Sequence, residues 1–165
     1  MQKINWRPWS KDIFSAAKKA KKPILLDINA SWCHWCQVME KTTYNNDVIA
    51  KLINENFIPV KVDTDKRPDI NSRYNLGGWP TTAFLKPDGS LITGGTYIEP
   101  RDMQLLLNQV YDYLQKVEHG EKPPVFPEAD WTLRPPEPVA SKTGITKEVV
   151  DYFSAVITDN FDRLY

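Results

Sequence analysis

The two cysteines of this 165-residue chain, Cys33 and Cys36, stand three residues apart. An apolar run of strand length, 24–28, precedes them, and a segment of helical character follows from about residue 34. A pair with this spacing at a strand-to-helix junction is typical of redox chemistry, because helix N–H groups and the helix dipole stabilise a thiolate at the first cysteine. We therefore expect Cys33 to attack a disulfide. We expect Cys36, one turn on and deeper, to resolve the mixed disulfide.

The cysteines have other possible uses. They could form an inert structural disulfide or be two unrelated core residues. They could also bind zinc, but a structural zinc site needs four ligands, and His34 and His119 are the obvious additional candidates. We therefore expect no metal and no organic cofactor, the redox group being the Cys33–Cys36 disulfide itself.

The charge balance argues against two classes of partner. The 21 Lys and Arg residues equal the 21 Asp and Glu residues in number, so no net field favours nucleic acid or an anionic membrane. No run approaches the roughly 18 apolar residues of a membrane span. Residues 1–9 also lack the apolar stretch of a secretory signal. We expect a cytoplasmic protein that binds neither nucleic acid nor membrane.

Hydrophobic periodicity predicts an α/β order of elements. Helices are expected at 10–22 with Ser10 as N-cap, at 34–43, after an Asn46 cap with Val48 facing inward, at 69–74 and at 101–118. Strands are expected at 24–28, 57–63, 81–86 and 91–97, the last two as a hairpin. This order predicts a mixed central sheet of four to five strands with helices on both faces.

The composition changes after residue 118. Prolines crowd the segment 119–143, which we interpret as a linker or a strap on the surface. An amphipathic pattern then predicts a terminal helix within 144–165. The folded domain is accordingly expected to span residues 1–118.

Asp27 lies six residues before Cys33, at an inward position of an otherwise apolar strand. A buried carboxylate there would have a raised pKa and could exchange a proton with Cys36 through water. An exposed aspartate at a sheet edge is the alternative. Lys61, in the neighbouring predicted strand, could pair with Asp27 and tune the site, or simply extend into solvent.

Three further features would complete the site. A cis Trp79–Pro80 bond, with an ordinary trans bond as the alternative, would let Trp79 and Pro80 hold an extended substrate peptide. His34 and Trp35, between the cysteines, are expected to tune the redox potential. A cationic imidazole favours the Cys33 thiolate, which predicts a potential above the about −270 mV of thioredoxins and nearer the about −180 mV of disulfide isomerases.

Together these residues resemble the thioredoxin superfamily. The matching elements are Asp27, Trp32-Cys33-x-x-Cys36, Lys61 and Pro80, and the nineteen-residue gap from Lys61 to Pro80 also agrees. The resemblance implies a thioredoxin-like three-layer fold. It also implies that Trp32 joins Trp79 and Pro80 in substrate binding, with Cys33, Cys36 and Asp27 as the catalytic residues.

A narrower resemblance, over about residues 5–118, is to the thioredoxin-domain family of spermatogenesis-associated thioredoxin-like proteins and bacterial YyaL-type relatives. Its motifs here include Trp6-x-x-Trp9, Cys33-His34-Trp35-Cys36-x-Val38-Met39-Glu40, Gly77-Gly78-Trp79-Pro80-Thr81 and Gly94-Gly95-Thr96-Tyr97. Full-length relatives carry a C-terminal α/α-barrel that resembles sugar epimerases and glycosidases. The resemblance therefore implies that residues 144–165 begin a truncated barrel domain, which would be a partner of the first domain.

These observations predict a thiol–disulfide oxidoreductase domain that acts on protein or small-molecule disulfides and receives electrons from another dithiol system. Two alternatives remain. The cysteine pair could sense redox state and regulate the C-terminal barrel, or it could belong to a metal-binding module. Turnover of a disulfide substrate would separate the enzyme from the sensor, and bound zinc in the reduced protein would identify the module.

Overall fold

A computed structural model describes residues 3–126 of the chain. Within that range the helices are α1 (Asp12–Ala20), α2 (His34–Lys41), α3 (Asp47–Asn56), α4 (Pro68–Tyr74) and α5 (Pro100–Glu118). The strands are β1 (Ile24–Asn29), β2 (Ile58–Asp63), β3 (Thr81–Leu85) and β4 (Leu91–Gly95). The predicted order of elements is confirmed, with ends that differ by a few residues.

The four strands form one mixed sheet in the order β2-β1-β3-β4. The central strand β1 runs parallel to β2 and antiparallel to β3, and β3 pairs antiparallel with β4 as the predicted hairpin. Because β1 has a partner on both sides, its apolar sequence is surrounded by backbone and by helices. This arrangement is the predicted α/β architecture.

Successive residues of β1 face two different apolar clusters, because side chains alternate across a sheet. Leu25 lies in the cluster that α2, α3 and α5 cover, which also contains Met39, Ile49, Ile53, Met103 and Leu107. Ile24, Leu26 and Ile28 lie in the cluster that α1 and α4 cover, with Ile13, Ala17 and Ile70. Helices therefore bury both faces, as in the predicted three-layer fold. Asp27, two residues after Leu25, faces the same side as α2.

Two local predictions are wrong. Ser10 does not cap α1 with its side chain. Lys11 already has helical backbone angles, and the Ser10 carbonyl instead accepts the N–H of Ile13 at 3.4 Å. Val48 does not face the core but is 53% exposed. Asn46 caps α3 as predicted, but the helix phase turns Ile49 and Ile53 inward and leaves Val48 about a quarter turn away.

The divisions predicted at 119–143 and 144–165 fall mostly outside the described residues. Helix α5 ends at Glu118, close to the predicted end of the domain. The last described residue, Phe126, stacks against Tyr113 of α5 with ring centroids 5.4 Å apart. The Pro-rich linker and the terminal helix stay predictions.

The backbones of β3 and β4 approach each other closely at Gly94. It pairs with Ala83, and a Cβ at Gly94 would contact the Thr82 carbonyl oxygen and lie 3.1 Å from the Ala83 Cα. Since the strand backbones would have to separate, we expect Gly94→Ala to lower the free energy of unfolding by about 1–3 kcal/mol. Urea denaturation of the oxidised protein measures this free energy.

The adjacent Gly95→Ala is the matched control. A Cβ at Gly95 would meet only the Ile98 side chain, at an ordinary 3.7 Å. Its effect is expected to stay within about 0.5 kcal/mol. Equal destabilisation by the two substitutions would contradict the close approach at Gly94.

Candidate active site

The cysteine pair lies directly after the central strand. Beyond the end of β1, a turn brings the Cys33 N–H to the Ala30 carbonyl at 3.1 Å, and Cys33 becomes the N-cap of α2. The Cys33 Sγ accepts the backbone N–H of Cys36 at 3.1 Å. The two residues form a disulfide, with Cα atoms 5.3 Å apart. The predicted strand-to-helix junction is therefore present, with the first cysteine at the helix N-terminus.

The relative burial of the two cysteines differs from the prediction. Cys33 is only 7% exposed, whereas Cys36 is partly exposed and therefore not the deeper residue. The reason is a cavity of about 250 Å³ beside α2, which Cys36 lines. Asp27, Glu40 and Lys61 line the same cavity. A cavity of this size can hold several waters, so the second cysteine shares an aqueous space with three charged side chains.

Asp27 is buried, as the apolar strand around it indicates, with 2% of its surface exposed. Burial raises the pKa of its carboxyl from an ordinary 3.8 to about 6, because a low-dielectric environment disfavours the charged form. Lys61 at 3.6 Å and the Asn29 amide at 3.1 Å oppose that rise, and the charge of Glu40 adds to it. Burial outweighs the ion pair, so Asp27 is an unusually basic carboxylate.

Tyr44, which follows α2, contacts the same carboxylate from the other side. Its buried hydroxyl donates to Asp27 Oδ1 at 3.5 Å and lies 3.2 Å from Thr82 Oγ1 of β3. Burial raises the pKa of Tyr44 well above its ordinary value, and the neighbouring Asp27 charge adds to this effect. Tyr44 therefore remains a neutral donor that orients Asp27. The sequence analysis missed it.

Lys61 lies between two carboxylates. The predicted approach to Asp27 is present at 3.6 Å, and the Lys61 ammonium also donates a hydrogen bond to Glu40. From the sequence, Glu40 was recognised only as part of a family motif. Its position four residues after Cys36 was an available signal, because residues i and i+4 share one helix face.

Aromatic side chains surround the disulfide at the surface. Trp32 and Trp79 contact edge to face, with ring centroids 5.4 Å apart, and Trp32 is 62% exposed. Their indole N–H groups donate to Asp65 and Asn71, both at 3.1 Å. The Trp79–Pro80 peptide bond, just before β3, is cis. The exposed aromatic pair and this bond therefore lie together at the N-terminal end of β3.

The residues between the cysteines extend the aromatic surface in another direction. Trp35 is 55% exposed and stacks on Tyr97 at 5.3 Å between centroids. The ring of His34 lies 5.8 Å from that of Trp35 and is exposed next to Cys33. His34 and Trp35 are thus placed to affect the environment of the first sulfur and whatever approaches it.

The described part of the chain contains neither a cluster of metal-binding side chains nor a membrane-spanning helix. Between residues 3 and 126, no three His, Cys, Asp or Glu side chains gather as a metal site would require. None of the helices in that range is long and apolar enough to cross a membrane.

The buried carboxylate predicts how stability depends on pH. The folded-state pKa of Asp27 lies above its ordinary value. The contribution of Asp27 to the free energy of unfolding is therefore greatest below about pH 4, where the carboxyl is protonated in both states, and is lost as the pH rises through about 6. The difference between the two pKa values corresponds to about 3 kcal/mol. Asp27→Asn removes the ionisation. We expect it to raise the free energy of unfolding by up to about 3 kcal/mol at about pH 8, and far less at about pH 4.

Urea denaturation of the oxidised protein at both pH values measures the effect. Asp112→Asn is the matched control, because Asp112 is an exposed carboxylate in a helical pair with Lys116. The control is expected to change stability by less than about 0.5 kcal/mol at either pH. A gain for Asp27→Asn that is equal at the two pH values would contradict the buried ionisation.

Comparison with known proteins agrees with this geometry. A solved thioredoxin from Thermus thermophilus superposes with a TM-score of 0.62 at 19% identity, covering 73% of this chain and 95% of that one. A solved structure described as DsbH oxidoreductase gives a TM-score of 0.59 at 17% identity, covering 66% of this chain and 84% of that one. At these identities the likeness shows the fold, which is thioredoxin-like.

Sequence comparison identifies the family. Spermatogenesis-associated protein 20 of Mus musculus is 42% identical over 107 residues, which are 60% of this chain and 14% of that protein. The match thus spans about one seventh of the length of that protein and a similar share of a Caenorhabditis elegans relative. Fold, disulfide and family together support a function of thiol–disulfide oxidoreductase type. The family named Thioredox_DsbH, described as a protein of unknown function, DUF255, matches residues 1–123 of the 165, and the chain belongs to this family of the thioredoxin superfamily.

Proposed function

We propose that this domain is a thiol–disulfide oxidoreductase that acts on disulfides of other proteins. The observation that carries the proposal is the cavity that joins Cys36 to a buried, basic carboxylate, Asp27. A disulfide with only a structural role needs no such group. A dithiol that turns over repeatedly must release and take up a proton in every cycle.

In the reducing direction, the cycle starts from the dithiol. The Cys33 thiolate attacks one sulfur of the substrate disulfide, and the other substrate sulfur leaves as a thiolate that takes up a proton. Cys36 then attacks the Cys33 sulfur, and its proton passes to Asp27 through the cavity. The second substrate thiolate leaves and is protonated. Two electrons and two protons reach the substrate, and an external dithiol system restores them to the protein.

The roles of the two cysteines follow from their positions on α2. Cys33 is the N-cap, where the Cys36 N–H at 3.1 Å and the helix dipole favour negative charge on its sulfur. Cys36 lines the cavity that contains the base. Hence Cys33 is the nucleophile and Cys36 the resolving thiol. This assignment does not need Cys36 to be the more deeply buried residue.

The surface beside the disulfide suits an extended peptide. We place the substrate backbone along Trp79 and Pro80, ahead of β3, as an added strand. The exposed rings of Trp32 and Trp79 would cover apolar side chains of that peptide. A disulfide-containing protein, rather than a small thiol alone, fits this surface. A cytoplasmic location stays a prediction.

A second candidate function is regulatory. The matched region is only 14–15% of the length of Spermatogenesis-associated protein 20 and of a Caenorhabditis elegans relative, so the domain is a small part of those longer proteins. The Cys33–Cys36 pair could then sense redox state and control a C-terminal domain of the same protein. Such a sensor needs reversible oxidation but no rapid exchange with external substrates.

Turnover and trapping separate the two functions. With insulin as substrate and dithiothreitol as reductant, we expect the wild-type chain to accelerate disulfide reduction. Cys36→Ser should reduce the rate towards that of dithiothreitol alone, because the fast intramolecular release of the mixed disulfide by Cys36 is lost and only attack by dithiothreitol remains. Cys36→Ser should also retain protein partners covalently, and Cys33→Ser is the matched control that should retain none.

Other outcomes would redirect the assignment. Reversible oxidation of the wild-type pair without insulin turnover would favour the sensor. Equal trapping by Cys33→Ser would reverse the roles of the two cysteines.

The redox potential tests the tuning residues. We expect a value above the about −270 mV of thioredoxins and nearer the about −180 mV of disulfide isomerases, because the His34 ring lies next to Cys33, where an imidazolium would stabilise the thiolate. His34→Ala should lower the potential by about 30 mV, a tenfold change in the exchange equilibrium. Equilibration with glutathione buffers measures it. His119→Ala, at the end of α5, is the control, and a wild-type value below about −270 mV would contradict the prediction.

A further inference from the structure

The Lys61 ammonium lies within reach of two carboxylates, those of Glu40 and Asp27. It donates a hydrogen bond to Glu40 and lies 3.6 Å from Asp27 Oδ2. Hydrogen bonds from nitrogen to oxygen in proteins measure about 2.7–3.2 Å. The ammonium is therefore hydrogen-bonded to Glu40 and forms a longer, weaker ion pair with Asp27.

The three charges lie in order of exposure. The exposed fractions of the side chains are 2% for Asp27, 28% for Lys61 and 41% for Glu40. Glu40 thus attracts the ammonium towards solvent and away from the interior. Lys61 is also 5.1 Å from the centre of the Trp6 ring and 6.0 Å from that of Tyr44, and these aromatic faces stabilise a cation at this position.

We propose that Glu40 is a positioning residue that holds the Lys61 ammonium on the solvent side of the cavity. It thereby keeps Lys61 from forming a full ion pair with Asp27, so that Asp27 remains basic enough to accept the proton of Cys36. This inference deepens the proposed function and depends on it for its catalytic consequence. The electrostatic part concerns only the folded protein and can be tested without turnover.

Of the groups around Asp27, Lys61 is the one through which Glu40 can affect the Asp27 carboxyl. The polar and titratable groups that face Asp27 or line its cavity come from every element packed against it: Asn29 of β1, Ser31 in the turn after β1, Cys36, Gln37, Glu40 and Lys41 of α2, Tyr44 after α2, Lys61 of β2 and Thr82 of β3. Among the described residues, Lys61 is the cation within 4 Å of Asp27. A change in Glu40 therefore acts on Asp27 through Lys61 or directly through its own charge.

Glu40→Gln separates Lys61 from its anionic partner while keeping the shape of the side chain. The ammonium should then pair fully with Asp27, which favours the ionised carboxylate. We expect the pKa of Asp27 to fall by roughly one unit from its value of about 6. Lys61→Gln should have the opposite effect and raise the pKa of Asp27.

A double-mutant cycle distinguishes the two routes. If Glu40 acts by holding Lys61, Glu40→Gln should shift the pKa of Asp27 by less than half as much in the Lys61→Gln background as in the wild type. The measurement is the carboxyl ¹³C chemical shift of Asp27 against pH in the oxidised 165-residue chain, where the cysteines do not titrate. Glu55→Gln, in an exposed helical pair with Lys51, is the matched control and should leave the pKa of Asp27 unchanged.

Three results would overturn the proposal. The pKa of Asp27 could stay unchanged in Glu40→Gln. It could rise, which would mean that Glu40 holds Lys61 close to Asp27 rather than away from it. It could fall equally in both backgrounds, which would mean that Glu40 acts through its charge alone. Thermal unfolding of each variant checks that the fold is retained.

Turnover measurements test the catalytic consequence of Glu40. In the insulin assay, Glu40→Gln should move the acid limb of the pH–rate profile to lower pH, in parallel with the pKa of Asp27. An unshifted limb beside a lowered pKa would overturn the catalytic part alone. If the wild type shows no turnover, the proposed function fails, and the titration still decides whether Glu40 positions Lys61.

Discussion

The burial of one carboxylate in the central strand is the constraint on which the site depends. β1 is apolar except at Asp27 and at its last residue, Asn29, and the ionised form of Asp27 opposes folding. The surrounding groups reduce that cost only in part. Asn29 and Tyr44 donate to the carboxylate at 3.1 and 3.5 Å, and the Lys61 ammonium forms an ion pair with it at 3.6 Å. An interior that tolerates such a group without neutralising it keeps a base available at neutral pH.

Strand register connects this base to the disulfide. Asp27 pairs with Lys61 in β2 and with Thr82 in β3. Lys61 and Thr82, which contacts the Tyr44 hydroxyl, therefore lie on strands on opposite sides of Asp27. A slip of one residue in β2 would turn Lys61 to the other face of the sheet. The same strand ends at Asn29, from which a short turn leads to the N-cap Cys33. The candidate active site is thus a consequence of where β1 ends and how it pairs.

Much of this could be predicted from the sequence because the signals are local. Apolar periodicity located the nine elements that the described residues contain, and the position of Asp27 in an apolar strand indicated its burial. The relative depth of Cys33 and Cys36 could not be predicted, because it depends on the cavity that α2 leaves beside β1 and β2. The contact of Glu40 with Lys61 could not be predicted from the sequence, because it depends on both the phase of α2 and the register of β2. Glu40 was therefore recognised only as part of a family motif.

The same geometry bears on whether the domain exchanges disulfides repeatedly or senses redox state. A thioredoxin-like fold with a disulfide at a helix N-terminus serves either purpose, since both need a stabilised thiolate at the first cysteine. Release of a bound substrate also needs a rapid proton transfer at the second cysteine, and that step benefits from a base of intermediate strength. A carboxyl with a pKa of about 6, in a cavity shared with Cys36, has that property. A sensor would gain nothing from this buried charge, which lowers its stability at neutral pH. The retained charge therefore favours turnover.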